Sequence, residues 1–180
     1  DSLSKLNESG HQLAGIFDVD RVAAFGHSGG GGVVHFASND DSRIKALLSY
    51  DPALFMLNDN EIEEGIGIPS LIIETDEWKF REESGRISDL IESSVFPPLH
   101  IKISEARHPD FAMLDHLSPL AHFLDFTGSF MKSGGEYYLY DIIQSFLEYT
   151  FGNLSESELL SRLLQRDDVR VFKGIHEIPR

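Results

Sequence analysis

Gly26-His27-Ser28-Gly29-Gly30 satisfies the pattern G-x-S-x-G. A serine hydroxyl becomes a useful nucleophile when a base takes its proton and a carboxylate orients that base. The pattern therefore asks for a histidine and an acid further along the chain. Its context strengthens it: Arg21-Val22-Ala23-Ala24-Phe25 reads as a short buried strand, and residues 31–38 read as helical despite their glycines. Strand, sharp turn and helix are the setting of a nucleophile elbow, which lifts the hydroxyl above a sheet in strained backbone geometry. Side chains next to the serine would crowd such a turn, which accounts for Gly26 and Gly30. The same turn presents the amide of Gly29 at a helix N-terminus, where it can donate to an oxyanion. A phosphate cradle is the weaker reading, because neither G-x-G-x-x-G nor G-x-x-x-x-G-K-[ST] occurs in that turn.

The base has eight histidines to come from. His11 precedes the serine, His27 sits inside the turn and points away from its exposed residue, His35 lies on the following helix and His100 is in a strand. His116, His122 and His176 fall in the helical tail or at the terminus. His108 stands just after the last apolar strand, in Ser104-Glu105-Ala106-Arg107-His108-Pro109-Asp110-Phe111. Loops at the carboxyl ends of parallel strands are where such sheets place their chemistry, so His108 is the expected base. Two acids qualify: Asp51 ends the strand after the elbow strand, and Asp76 ends the next one. Spacing leaves both open. Asp110, Asp115 and His116 match no zinc pattern such as H-E-x-x-H, and no metal or cofactor is expected.

The elements that must hold these groups alternate. Ala46–Tyr50 and Ser70–Thr75 are continuous apolar strands, and Leu99–Ile103 alternates like a strand. A helix is expected between Asp76 and Phe96, with Ile87, Leu90 and Ile91 on one side and Pro97-Pro98 as its stop. A weak helix runs up to Ile16-Phe17, and residues 117–180 form a helical C-terminal part of the same domain. This order predicts an α/β fold, a mostly parallel sheet with helices on both faces and no linker dividing it.

Composition narrows the function classes. The chain has 180 residues, no cysteine, and 15 Lys+Arg against 30 Asp+Glu, a formal charge of −15. That balance repels phosphate backbones, and no basic stripe offsets it, so nucleic acid is not an expected partner. Without cysteine there are no disulfides, thiolate metal sites or cysteine nucleophile. Apolar runs fall well short of the ~20 residues of a membrane-spanning helix. A weak membrane-surface contact through Tyr137, Tyr138, Tyr140, Phe146 and Tyr149 is the only lipid-facing feature expected.

Between Asp18 and Phe126 the chain resembles the platelet-activating factor acetylhydrolases, serine lipases of the α/β-hydrolase fold. The resemblance rests on Asp20 to Gly30 as the elbow, with histidine before the serine; on Tyr50-Asp51-Pro52-Ala53-Leu54-Phe55-Met56-Leu57 as the acid segment; on Glu74-Thr75-Asp76-Glu77-Trp78 as the polar segment after the next strand; and on Ala106-Arg107-His108-Pro109-Asp110-Phe111 as the histidine loop. It implies a triad of Ser28, Asp51 and His108, an oxyanion donor at Gly29, and short-acyl ester or phospholipid substrates. A more distant similarity to dienelactone hydrolases and cutinase-like polyester hydrolases would make Asp76 the acid. A non-catalytic binding module of the same fold is the remaining alternative. Two positions depart from the family pattern: Gly29 replaces a bulkier residue after the serine, and Pro52 follows the acid. The fold also places several strands before its nucleophile, whereas about 20 residues precede the elbow strand here and the first is not Met. The expectation is therefore the C-terminal portion of a larger enzyme, carrying the triad and half the oxyanion hole, with an exposed sheet edge and poor stability or activity in isolation.

Overall fold

The computed structural model describes residues 2–78, 81–112, 118, 120, 124 and 126–180. Six strands form one sheet in the order β1-β2-β3-β4-β5-β6. They are β1 Val22–His27, β2 Ile44–Tyr50, β3 Ser70–Thr75, β4 Leu99–Ile103, β5 Val169–Lys173 and β6 His176–Glu177. The first four run parallel, while β5 and β6 are antiparallel additions. Consecutive parallel strands require crossovers. These are helix α2 (Gly29–Asp40) between β1 and β2, α3 (Asp59–Glu64) between β2 and β3, and α4 (Arg81–Ser93) between β3 and β4. The result is the α/β architecture that the alternation of elements predicts, a mostly parallel sheet with helices packed on it.

Side chains alternate across the sheet and sort the core into two layers. Leu48, Leu71, Ile73, Ile101 and Ile103 pack on one face against helix α5 (Glu136–Phe151) and helix α6 (Glu156–Leu163), through Tyr138, Ile142, Phe146, Leu159 and Leu163. On the other face Leu47 and Ile72 meet Leu54, Ile62, Trp78, Ile87, Leu90 and Ile91. The aromatic positions of α5 divide accordingly: Tyr138 and Phe146 are buried, and Tyr137 and Tyr140 face outward.

Three expectations change. The first helix is confined to α1 (Ser2–Leu6), because Gly10 and Gly15 take positive φ and the Asn7 side chain ties back to Phe17 through both backbone groups. Residues 117–180 are not wholly helical: Val169-Arg170-Val171-Phe172 alternates and pairs antiparallel with β4, completing its open edge. Leu117, Asp115, His116 and His122 lie outside the described residues. Finally, β1 is only partly buried. It is the outer strand of the sheet, and Phe25, packed edge-on against Tyr50 with ring centroids 5.0 Å apart, remains 54% exposed.

A buried imidazole links α2 to the sheet. His35 Nε2 and Ser49 Oγ of β2 are hydrogen-bonded at 3.1 Å, and burial pushes the His35 pKa down to about 4. On the same side of β3 and β4, His100 bonds Glu74 at 2.9 Å; burial lowers the His100 pKa too. A histidine whose folded pKa is depressed binds fewer protons folded than unfolded. Its stabilising effect is therefore complete above pH 6.5 and falls away as pH drops toward the folded value. Urea denaturation at pH 7.5 and pH 5 is expected to show a loss of about 2 kcal/mol from His35 alone, and His35→Met should flatten that part of the slope.

Candidate active site

The parallel register brings the ends of β1, β2 and β3 to one edge, with His27 opposite Tyr50 and Tyr50 opposite Ile73. Ser28 and Asp51 are the next residues of their chains, and they alone among the described non-glycine residues have positive φ, at 55° and 39°. Side chains rarely accept such backbone angles, and the strain of order 1–3 kcal/mol persists only where surrounding structure enforces it. Here the enforcement comes from hydrogen bonds continuing the sheet. Ser28 N donates to Tyr50 O at 2.9 Å, and Asp51 N donates to Ile73 O at 2.8 Å. Ala53 N then returns to Ser28 O at 2.9 Å, tying the acid loop to the elbow.

The glycines of the elbow have different reasons from those expected. A β-carbon at Gly26 would strike the backbone of Gly30, so Gly26 is sterically fixed. Gly30 itself has open space around it. Gly31 and Gly32 are the crowded pair, because α2 starts hard against the backbone of Pro52 and Ala53. Gly29, at the first turn of α2, would have Met56 Cε 3.9 Å from any added β-carbon.

Asp51 is fully buried, and its carboxylate accepts three hydrogen bonds. Thr75 supplies two, from its N–H to Oδ1 at 2.7 Å and from its hydroxyl to Oδ2 at 2.9 Å; His108 Nδ1 donates to Oδ2 at 2.9 Å. The His108 bond fixes the ring's tautomer and leaves Nε2 as its free nitrogen. Asp76 stands exposed one residue beyond Thr75. Among the described residues its carboxylate is not bonded to His108, and its backbone N–H joins Ile103 O at 3.2 Å. The loop carrying His108 is anchored twice. Buried Asp110 accepts from Arg107 N at 2.8 Å and Gly128 N at 3.0 Å, and Phe111 stacks on Tyr50 with centroids 4.6 Å apart. Ser28 Oγ forms no hydrogen bond among the described residues; in unliganded sites such bonds are often long and tighten around substrate.

Two neighbours of His108 were not singled out from the sequence. Trp78 stacks on its ring with centroids 4.1 Å apart and planes 13° from parallel. His27 covers it as well, at 4.4 Å and 38°, instead of pointing away from the chemistry. Burial, and then any positive charge on His108, hold the His27 pKa below its ordinary value. The signal for Trp78 was its place three residues beyond Thr75, on the strand end that also carries the acid's hydroxyl donor. Among the described residues no group of three His, Asp or Glu is placed to hold a metal ion.

Thr75→Val removes a hydroxyl donor from a buried carboxylate while keeping shape and the backbone N–H. The expected cost is about 1–3 kcal/mol in urea denaturation. Gly26→Ala is expected to displace the start of α2 and lower the midpoint of urea unfolding.

The family model for platelet-activating factor acetylhydrolase, isoform II, matches residues 4–120, a span containing Ser28, Asp51, Asp76 and His108. No curated protein matches the sequence, whereas 65 chains of solved structures resemble this one in structure. One is a ferulic acid esterase from Streptomyces cinnamoneus, 21% identical with a TM-score of 0.50. The match covers 61% of this chain and 31% of the esterase, so the chain spans about a third of that structure, and the likeness is one of fold. With more than half its residues matched, the chain belongs to the platelet-activating factor acetylhydrolase, isoform II, family.

Proposed function

We propose that the protein hydrolyses carboxylic esters, with Ser28 as nucleophile, His108 as general base and Asp51 as the carboxylate that orients it. The observation carrying this reading is the Asp51–His108 bond at 2.9 Å, made beside a serine held in strained elbow geometry. Ser28 Oγ attacks the ester carbonyl and passes its proton to His108 Nε2, while Asp51 retains the Nδ1–H and stabilises the imidazolium. The Gly29 N–H is one donor to the tetrahedral oxyanion; a single such donor is typically worth roughly 10²–10³ in rate. The intermediate collapses, His108 returns its proton to the leaving alkoxide, and the acyl group stays on Ser28. Water, activated by the same imidazole, then releases the acid and restores the serine.

Family membership supports short-acyl phospholipids as the substrate class, including the acetyl ester of an ether phospholipid. The surface beside the elbow is compatible with an apolar substrate. Phe55 and Met56, in the 3₁₀ turn after the acid, are 70% and 47% exposed, and Met56 lies against Gly29 and Gly32. Contact with a membrane surface through the outward Tyr137 and Tyr140 belongs to the same proposal.

A fluorophosphonate probe is expected to label Ser28, located by peptide mass mapping, with Ser28→Ala unlabelled. Asp51→Asn should lower kcat on p-nitrophenyl acetate by about 10³–10⁴-fold, and Asp76→Asn should leave it near wild type. A loss confined to Asp76→Asn would transfer the acid's role, and turnover surviving Ser28→Ala would remove the serine mechanism.

A further inference from the structure

The contacts of His108 exceed what a triad requires. One ring edge is fixed by Asp51, and two further rings lie against the imidazole: Trp78, stacked with centroids 4.1 Å apart, and His27, tilted by 38° at 4.4 Å. The two covering rings come from different strand ends. His27 closes β1 immediately before Ser28, and Trp78 follows β3, where its backbone N–H donates to Thr75 O at 3.0 Å. Trp78 is buried and belongs to the core layer formed with Leu54 and Ile87, so it is a fixed surface rather than a mobile lid.

Resting on the serine mechanism above, we infer that Trp78 and His27 are positioning residues. They clamp the His108 imidazole with two rings, and the indole face stabilises the imidazolium formed as Ser28 loses its proton. Three features of the geometry support this. A near-parallel stack opposes rotation of the ring about its bond to Asp51. An indole face attracts a cation over it by about 0.5–2 kcal/mol, more when water is excluded, and this attraction grows as charge develops on His108. It therefore lowers the barrier rather than tightening ground-state binding. His27 adds a second ring against the imidazole, and burial, then the charge that forms on His108, lowers its own pKa, which disfavours a second cation beside the first. Among the described residues, charged groups near the clamp include Asp51 and the Arg107–Glu77 ion pair, at 3.2 Å.

Trp78 is the chain's only tryptophan, so its emission reports this one stack. Protonated imidazole quenches indole fluorescence on contact. At one fixed pH, His108→Gln is expected to raise the emission of Trp78 relative to the wild-type chain. Emission that does not change with His108 would overturn the clamp, whether or not any variant folds. In kinetics, Trp78→Leu is expected to lower kcat about tenfold with KM little changed, and Trp78→Phe should recover most of the loss. Wild-type kcat in Trp78→Leu, beside an inactive Ser28→Ala, would overturn the clamp alone. Activity persisting in both Ser28→Ala and His108→Gln would instead overturn the serine mechanism on which the clamp rests.

Discussion

A carboxylate entirely removed from water is among the costliest things a fold can hold, unless every lone pair facing inward finds a donor. Asp51 is that group here, and the C-terminal edge of the sheet is organised around it. Thr75 reaches it with backbone and side chain from the neighbouring strand, and His108 supplies the third donor from a loop two strands away. Each donor depends on parallel register. A slip of one residue between β2 and β3 would turn Thr75 away from the carboxylate and leave a buried charge half satisfied.

The same register explains why strain can be held at two adjacent points. Ser28 and Asp51 both leave the sheet with positive φ, and each is bound through its own N–H to the next strand. The crowded start of α2, with Gly31 and Gly32 against Pro52 and Ala53, joins the two turns into one body. Ser28 and Asp51 are thus positioned by shared backbone contacts, and the loop carrying His108 is then pinned to that body by Asp110 and by the Phe111–Tyr50 stack.

Much of this was legible in the sequence because the relevant signals are local. Gly26 to Gly30 after an apolar strand announces the elbow, and Ser70–Thr75 and Leu99–Ile103 are strands at the residues expected. Charge, glycine spacing and strand ends brought Ser28, Asp51, Asp76, Gly29 and His108 forward. What stayed hidden depends on contacts between distant segments. The antiparallel β5 is short and amphipathic within a helix-rich tail, and it becomes a strand by pairing with β4. Trp78 and His27 gain meaning only when three loops converge. Asp51 and Asp76, each ending a strand, are equivalent by spacing; burial and hydrogen bonding distinguish them.

The bond between Asp51 and His108 is the feature to measure directly. In proton NMR, an imidazole Nδ1–H held by a buried carboxylate gives a far-downfield resonance, and it requires no substrate or turnover. The structure predicts that this resonance is present, disappears in Asp51→Asn and persists in Asp76→Asn. A resonance that survives Asp51→Asn and is lost in Asp76→Asn would contradict the site described here.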